Sequence, residues 1–208
     1  MEEIRMDTER FDGINLENEK VLRIVNCGFE VFAKNNFEKA STNLIVENAK
    51  ISRGLLYHYF KNKKELFDFL LYFSGKKVLN NMVDSVDWSN TDFLLRVRQA
   101  LISKIETLAE YPYLYEFCDK YARDYAEELT QKLMPSISNR LFEENLNFSQ
   151  IRKEVDVELM KSTIINTLSK LISKMLESRS GLSKTEIIRL ATAETDRYLE
   201  FFRIVFYI

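Results

Sequence analysis

The stretch Ser41-Thr42-Asn43-Leu44-Ile45-Val46-Glu47-Asn48-Ala49-Lys50-Ile51-Ser52-Arg53-Gly54-Leu55-Leu56-Tyr57-His58-Tyr59-Phe60-Lys61-Asn62-Lys63-Lys64-Glu65-Leu66 decides the fold. It holds three helix starts in close succession. Ser41 precedes Leu44, Ile45 and Ala49 as an N-cap. Ser52 precedes Gly54, Leu55, Leu56 and Tyr59, and Asn62 with Glu65 three residues later resembles a capping box that opens a long helix through Leu66, Phe67, Leu70 and Leu71. Two helices of about seven residues separated by a three-residue turn make a helix-turn-helix. Helices that short are not stable alone, so both must lean on the helices before and after them.

Working outward, Val21, Ile24, Val25, Gly28, Phe29 and Phe32 recur at three- and four-residue spacing from Leu16 onward. Gly28 in mid-helix costs stability and marks a close helix–helix approach. The helix is expected to stop at Asn35-Asn36, because Asn tolerates the left-handed conformation. Residues 1–15 carry no clear period and read as a flexible N-terminal arm, residues 16–66 as the helix-turn-helix domain, and residues 67–208 as a larger helical domain.

Downstream, Ser89 or Asn90 starts a helix through Phe93, Leu94, Val97, Ala100, Leu101, Ile105 and Leu108, and Pro112 ends it. An aromatic helix runs toward Met134-Pro135, and a short amphipathic stretch covers Ile137 to Phe148. Two long helices, about Val155–Ser178 and Lys184–Tyr207, are separated by Ser180-Gly181. With 5 Gly and 2 Pro in 208 residues, and no lasting strand-like alternation, the fold class is all-α.

Charge is unevenly spread. From Lys34 to Lys64 seven basic residues face two acidic ones, while the whole chain carries −2. A basic segment in an acidic protein is either an electrostatic footprint for phosphate or a solvated face. An acidic N-terminus without an apolar core is not a secretory signal, no apolar run is long enough for a membrane span, and two cysteines, Cys27 and Cys118, suit a reducing compartment. These features together describe a soluble, cytoplasmic protein.

Enzymatic chemistry finds little support. One histidine, His58, leaves no room for a His-ligated metal cluster, and it has no acid or nucleophile partner at useful spacing. There is no Gly-rich phosphate loop and no pair of carboxylates that stands out, so neither a catalytic set nor a cofactor or metal is expected.

The quoted stretch closely resembles the DNA-binding signature of the TetR family. The resemblance rests on Gly54-x-Leu56-Tyr57-x-Tyr59-Phe60 with Lys63 and Leu66, and on Val31-Phe32-Ala33-Lys34 followed by Asn36-Phe37, and covers about residues 18–70, one quarter of the chain. Lys50 stands where the family usually has Gly, so a non-Gly residue is expected at positive φ at a cost of about 1 kcal/mol. Val46 and Ile51 stand in for Ala and Val.

The resemblance implies sequence-specific contact with duplex DNA through Ser41, Thr42, Ser52, Arg53, Gly54, Leu55, Tyr57, His58 and Lys63. The chemistry fits. A helix enters the major groove and is read near its N-terminus, where Arg53 can bind guanine bidentately and Leu55 can pack on a thymine methyl. Gly54 keeps that end slim. Lys63, unfavourably placed at a helix N-terminus, would gain from a phosphate. Ser41, Ser52 and Asn62 also serve as plain caps, one of Tyr57 and Tyr59 (the latter favoured) packs rather than contacts, and Leu44, Ile45, Ala49, Leu56 and Phe60 are expected in the core.

The family's C-terminal region forms a homodimer around a small-molecule pocket. Here Leu114, Phe117, Cys118, Tyr121 and Tyr125 share one helical face and either line an apolar pocket or pack as core. Ile164, Leu168, Leu171 and Met175, with Tyr198 and Phe202, form stripes suited to a dimer interface. A two-fold dimer would set two readers on a palindromic operator. The expected function is a DNA-binding regulator, a repressor released by a small apolar or aromatic ligand; the alternative is a helical ligand-binding or scaffold protein with vestigial DNA binding.

Overall fold

In the computed structural model, residues 8–122, 125–178 and 181–208 are described, and Ser180 lies outside them, as do residues 1–7 of the N-terminal arm. Eleven α-helices are found among the described residues, with no named strand; the one antiparallel bridge joins Ile151 and Tyr207. The chain divides into two compact units: residues 1–77 with 111–133, and residues 78–110 with 134–208.

The first unit is built on α2 (Glu19–Lys34), after a short α1 (Thr8–Asp12). Asn18 caps α2 by accepting from the Lys20 amide, and its buried face is Val21, Ile24, Val25, Gly28, Phe29, Val31 and Phe32. At Gly28 a Cβ would lie 2.8 Å from Leu70 Cδ1. The expected close approach is therefore real, and its partner is α5 (Lys63–Ser85). The helix stops at Lys34 as expected, but not by a left-handed Asn: Asn35 is extended (φ −128°, ψ 151°) and its side-chain amide donates to Val31 O.

Between these helices lie α3 (Thr42–Ala49) and α4 (Arg53–Tyr59). Lys50 ends α3 at φ 51°, ψ 49°, the left-handed residue foreseen from the family comparison. Ile45, Ala49, Leu56 and Phe60 are buried, whereas Leu44 is 40% exposed; on so short a helix the face of Ile45 and Ala49 is the only one covered.

Part of the segment read as an arm is ordered against this unit. Phe11 is buried against Phe69 and Tyr72, and Arg10 pairs with Glu65 and donates to Tyr59 O at 3.0 Å. One phenylalanine among polar residues gives no period, which is why the sequence showed nothing there.

After α6 (Phe93–Glu110), which belongs to the second unit, the chain returns to the first through α7 (Leu114–Phe117), a π-helical turn (Cys118–Ala122) and α8 (Ala126–Leu133). Leu114 and Phe117 are fully buried. Phe117 packs tilted against Phe29 at 5.1 Å and edge-on against Phe67 at 5.7 Å, and Tyr121 meets Phe67 edge-on at 4.9 Å. Leu114 and Phe117 thus pack in the aromatic core, with Tyr121 half-buried beside them. Helical spacing reports that a face is covered, not by what.

The second unit packs α6 with α9 (Ile137–Phe142), α10 (Val157–Glu177) and α11 (Lys184–Phe206). Asp92, rather than Ser89 or Asn90, caps α6 through the Leu95 amide. Asp156 caps α10, and Ser183 with Glu186 forms a capping box on α11. The core joins Phe93, Leu94 and Val97 to Met160, Ile164, Leu168, Leu199 and Phe202. Three residues assigned from sequence to a dimer interface, Ile164, Leu168 and Phe202, therefore already sit inside one chain, with Leu171 and Tyr198 packed beside them. Met175 is half-buried.

Arg96, 1% exposed, is the largest fully buried side chain of this unit. Its guanidinium donates to the carbonyls of Arg140, Glu144, Trp88 and Asn90, tying the loop at Trp88 and Asn90 and the C-terminal end of α9 to α6. Burial pushes its pKa down, so the carbonyl ring must compensate a desolvated cation. Arg96→Met is expected to lower the unfolding free energy by about 3 kcal/mol or more, since the acceptors lose their donor; chemical denaturation checks it.

Candidate nucleic-acid interface

Exposure sorts the nine residues foreseen as DNA contacts. Ser41, Ser52, Arg53, Gly54, Tyr57 and His58 are exposed, Thr42, Leu55 and Lys63 half-buried. Ser52 Oγ accepts from the Leu55 amide at 3.1 Å and so acts as the cap of α4. Ser41 stands at the cap position of α3, but its hydroxyl makes no capping bond.

Across the turn, α3 and α4 bring three of these side chains together. The Thr42 hydroxyl and Tyr57 Oη are 3.5 Å apart, and the Arg53 guanidinium lies 5.8 Å from the Tyr57 ring centroid. The Thr42 hydroxyl, then Arg53, hold the phenol below its usual pKa, so this hydroxyl is a readier donor than a solvated tyrosine. Beside it Gly54 is bare: an added Cβ would meet nothing nearer than Ser52 Oγ at 4.0 Å. Nothing inside the chain demands a glycine there. A second body approaching the start of α4 would.

The seven basic residues of the Lys34–Lys64 stretch divide by employment. Lys34 pairs with Glu30, and Lys64 with Asp68. Lys63, foreseen on phosphate, instead spends its ammonium on three carbonyls, Phe37 at 2.7 Å, Glu38 at 3.1 Å and Ala40 at 3.2 Å, and lies over the Phe37 ring. Its three donors are used, and the cost of a cation at a helix N-terminus is offset within the fold. Lys39, Lys50, Arg53 and Lys61 remain exposed and enter no ion pair among the described residues. The usable positive charge thus sits around α3 and α4.

Of two positioning residues, Lys120 carries no signal in the sequence and Tyr121 only that of an apolar helical face. Lys120 donates to Phe32 O, Ala33 O and Asn35 O, the last at 3.0 Å, and the Tyr121 hydroxyl donates to Asn35 O at 2.9 Å. They close the carbonyl end of α2, where a cation also meets the negative end of the helix dipole. Tyr59, half-buried as favoured, is locked through its carbonyl by Arg10. Cys118 and Tyr125 are half-buried, and burial pushes the Cys27 thiol up, toward the unreactive form. No cluster of three His, Cys, Asp or Glu suited to a metal exists among the described residues.

A short two-helix motif carrying exposed Arg53 and Tyr57 beside Thr42, with unpaired positive charge, has the form of a helix-turn-helix. Residues 24–70 match the model of bacterial regulatory proteins, tetR family. Over 65 residues the chain is 31% identical to the HTH-type transcriptional regulator UidR of Escherichia coli K12, a match that spans 31% of this chain and 33% of that protein. A TetR family transcriptional regulator of Chloroflexus aurantiacus J-10-FL has a similar fold (TM-score 0.65, 20% identity, 96% of this chain and 98% of that one), as does the regulator FadR of Bacillus subtilis in complex with stearoyl-CoA (TM-score 0.61, 19% identity, 88% and 97%). Residues 24–70 thus carry the DNA-binding region of the tetR family of bacterial regulatory proteins, and the chain as a whole shares the fold of TetR family regulators.

Because Lys63 holds the loop at residues 37–40, Lys63→Met is expected to cost about 1.5–3 kcal/mol of stability, the range for hydrogen bonds from a charged group. The slope of log affinity against log salt on duplex DNA should stay within error of the parent value, since no phosphate contact is lost. Denaturation and salt-dependent DNA titration check the two halves.

Proposed function

We propose that the chain is a sequence-specific DNA-binding regulator that reads the major groove with α4. The observation that carries this is the bare start of α4: Gly54 has no intrachain contact to explain it, and exposed Arg53 and Tyr57 stand around it with half-buried Thr42. Arg53 suits a guanine edge, Leu55 a thymine methyl, and the hydroxyls of Ser41, Thr42 and Tyr57 suit phosphate oxygens. Lys39, Lys50 and Lys61 add attraction for the backbone, and His58 stands exposed at the end of the same helix. Exposed functional groups with this chemistry favour a working reader over a scaffold that has lost one.

A two-fold dimer completes the reading. On α11, Phe201 is 57% and Ile204 67% exposed, with Val205 and Ile208 beside them. Exposed apolar side chains in a row mark an interaction surface. A second copy of this chain is the occupant that would pair two readers on a palindrome.

Within that frame the chain acts as a repressor released by a small molecule that favours a dimer with mismatched reader spacing. An apolar effector is supported by the likeness in fold to the stearoyl-CoA complex, and not by Leu114 and Phe117, which are core.

Selection from random duplex DNA with the purified chain tests the reading, with a palindrome of half-sites one or more helical turns apart as the expected product. Arg53→Ala should lose about 1–3 kcal/mol on the selected site while the helical circular dichroism spectrum stays unchanged. Equal affinity of parent and variant would remove Arg53 from the interface. For the dimer, Phe201→Asp with Ile204→Asp should sediment as a folded monomer.

A further inference from the structure

The second unit contains a cleft of about 350 Å³ between the end of α5, the end of α6 and the first turn of α11. Its charge is lopsided. Asp84, Glu106 and Glu110 line it against a single ammonium, Lys184. Neither α5 nor α6 has a basic residue in its last turn, although a helix C-terminus is a partial negative charge that normally attracts cations. Two such ends, each carrying acid instead of base, thus border the same cleft.

The lining holds a hydroxyl without an intrachain partner. Ser103 is 3% exposed and its Oγ has no hydrogen bond, although the residue lines the cleft. A buried polar atom left unmatched costs about 1–3 kcal/mol and calls for a partner. Its neighbour Thr107 is fully used, accepting from Asn81 Nδ2 at 2.9 Å and donating to Ser103 O at 2.8 Å. The Ser103 hydroxyl is therefore the polar atom available to a guest.

The acids do not converge closely enough to hold a metal: no triad of candidate ligands exists among the described residues. Separated carboxylates call for separated positive charges. Ile188 adds an apolar wall against which methylenes can lie. A volume of 350 Å³ equals about a dozen waters at ~30 Å³ each, room for a short aliphatic chain. We propose that this cleft binds an aliphatic diamine or polyamine, its ammonium groups on Asp84, Glu106 and Glu110 and one N–H donated to Ser103 Oγ. The site stands whether or not the chain reads DNA.

Calorimetric titration of the full chain with 1,4-diaminobutane and with spermidine, at low salt to limit screening, tests it, with 1,4-butanediol as the uncharged control. One saturable site per chain is expected for at least one amine and none for the diol. Glu106→Gln should weaken binding about tenfold or more, and Ser103→Ala about fivefold, in line with charged and neutral hydrogen bonds. Glu106 is exposed, and Ser103→Ala removes no intrachain bond, so both variants keep the fold. Glu177→Gln, at the end of α10, should leave affinity unchanged. No saturable binding by either amine would overturn the proposal, and so would equal weakening by Glu177→Gln and Glu106→Gln, which would mark diffuse attraction to an acidic surface.

Discussion

Two ammonium groups hold the turn on which the first unit depends. Lys63 from the start of α5 and Lys120 from the π-helical turn between them occupy six carbonyls between Phe32 and Ala40. A helix end and the loop after it expose acceptors that the helix cannot satisfy, and water cannot reach all of them when aromatic rings close over the site. With the turn fixed, α3 and α4 have a fixed floor. Helices of 8 and 7 residues have no stability of their own, so their orientation is that of the loop and core beneath them.

That dependence explains why the first unit is not the contiguous motif alone. Phe117 and Tyr121 complete an aromatic cluster with Phe29, Phe32 and Phe67. Residues 111–133 are therefore structurally part of the unit that contains the helix-turn-helix, although they lie about fifty positions beyond its last cap. Any change that repositions this segment acts on the carbonyl end of α2 directly, through Lys120 and Tyr121.

The second unit solves a different problem. The loop at Trp88 and Asn90 and the C-terminal end of α9 at Arg140 and Glu144 present carbonyls, and Arg96 gathers them. A planar guanidinium can serve several carbonyls at once where an ammonium serves fewer. The buried faces of α6, α10 and α11 are then consumed within one chain, which leaves Leu190, Phe201, Ile204 and Val205 as exposed apolar side chains of α11.

What the sequence determined by itself was local: which residues begin and end helices, because caps and the left-handed Lys50 are settled by neighbours a few positions away, and which faces are apolar, because periodicity is a property of one helix. It also carried the candidate site, since Ser52, Arg53, Gly54 and Tyr57 lie within six positions. The tertiary structure decided the employment of each group. Lys63 serves three carbonyls, Leu44 is exposed, Ile164 and Leu168 pack inside the chain, Phe11 folds onto α5, and Ser103 lines a cleft without a partner. Each of these depends on a partner tens of residues away, and such a partner is chosen by the packing of helices in space, which no local pattern encodes.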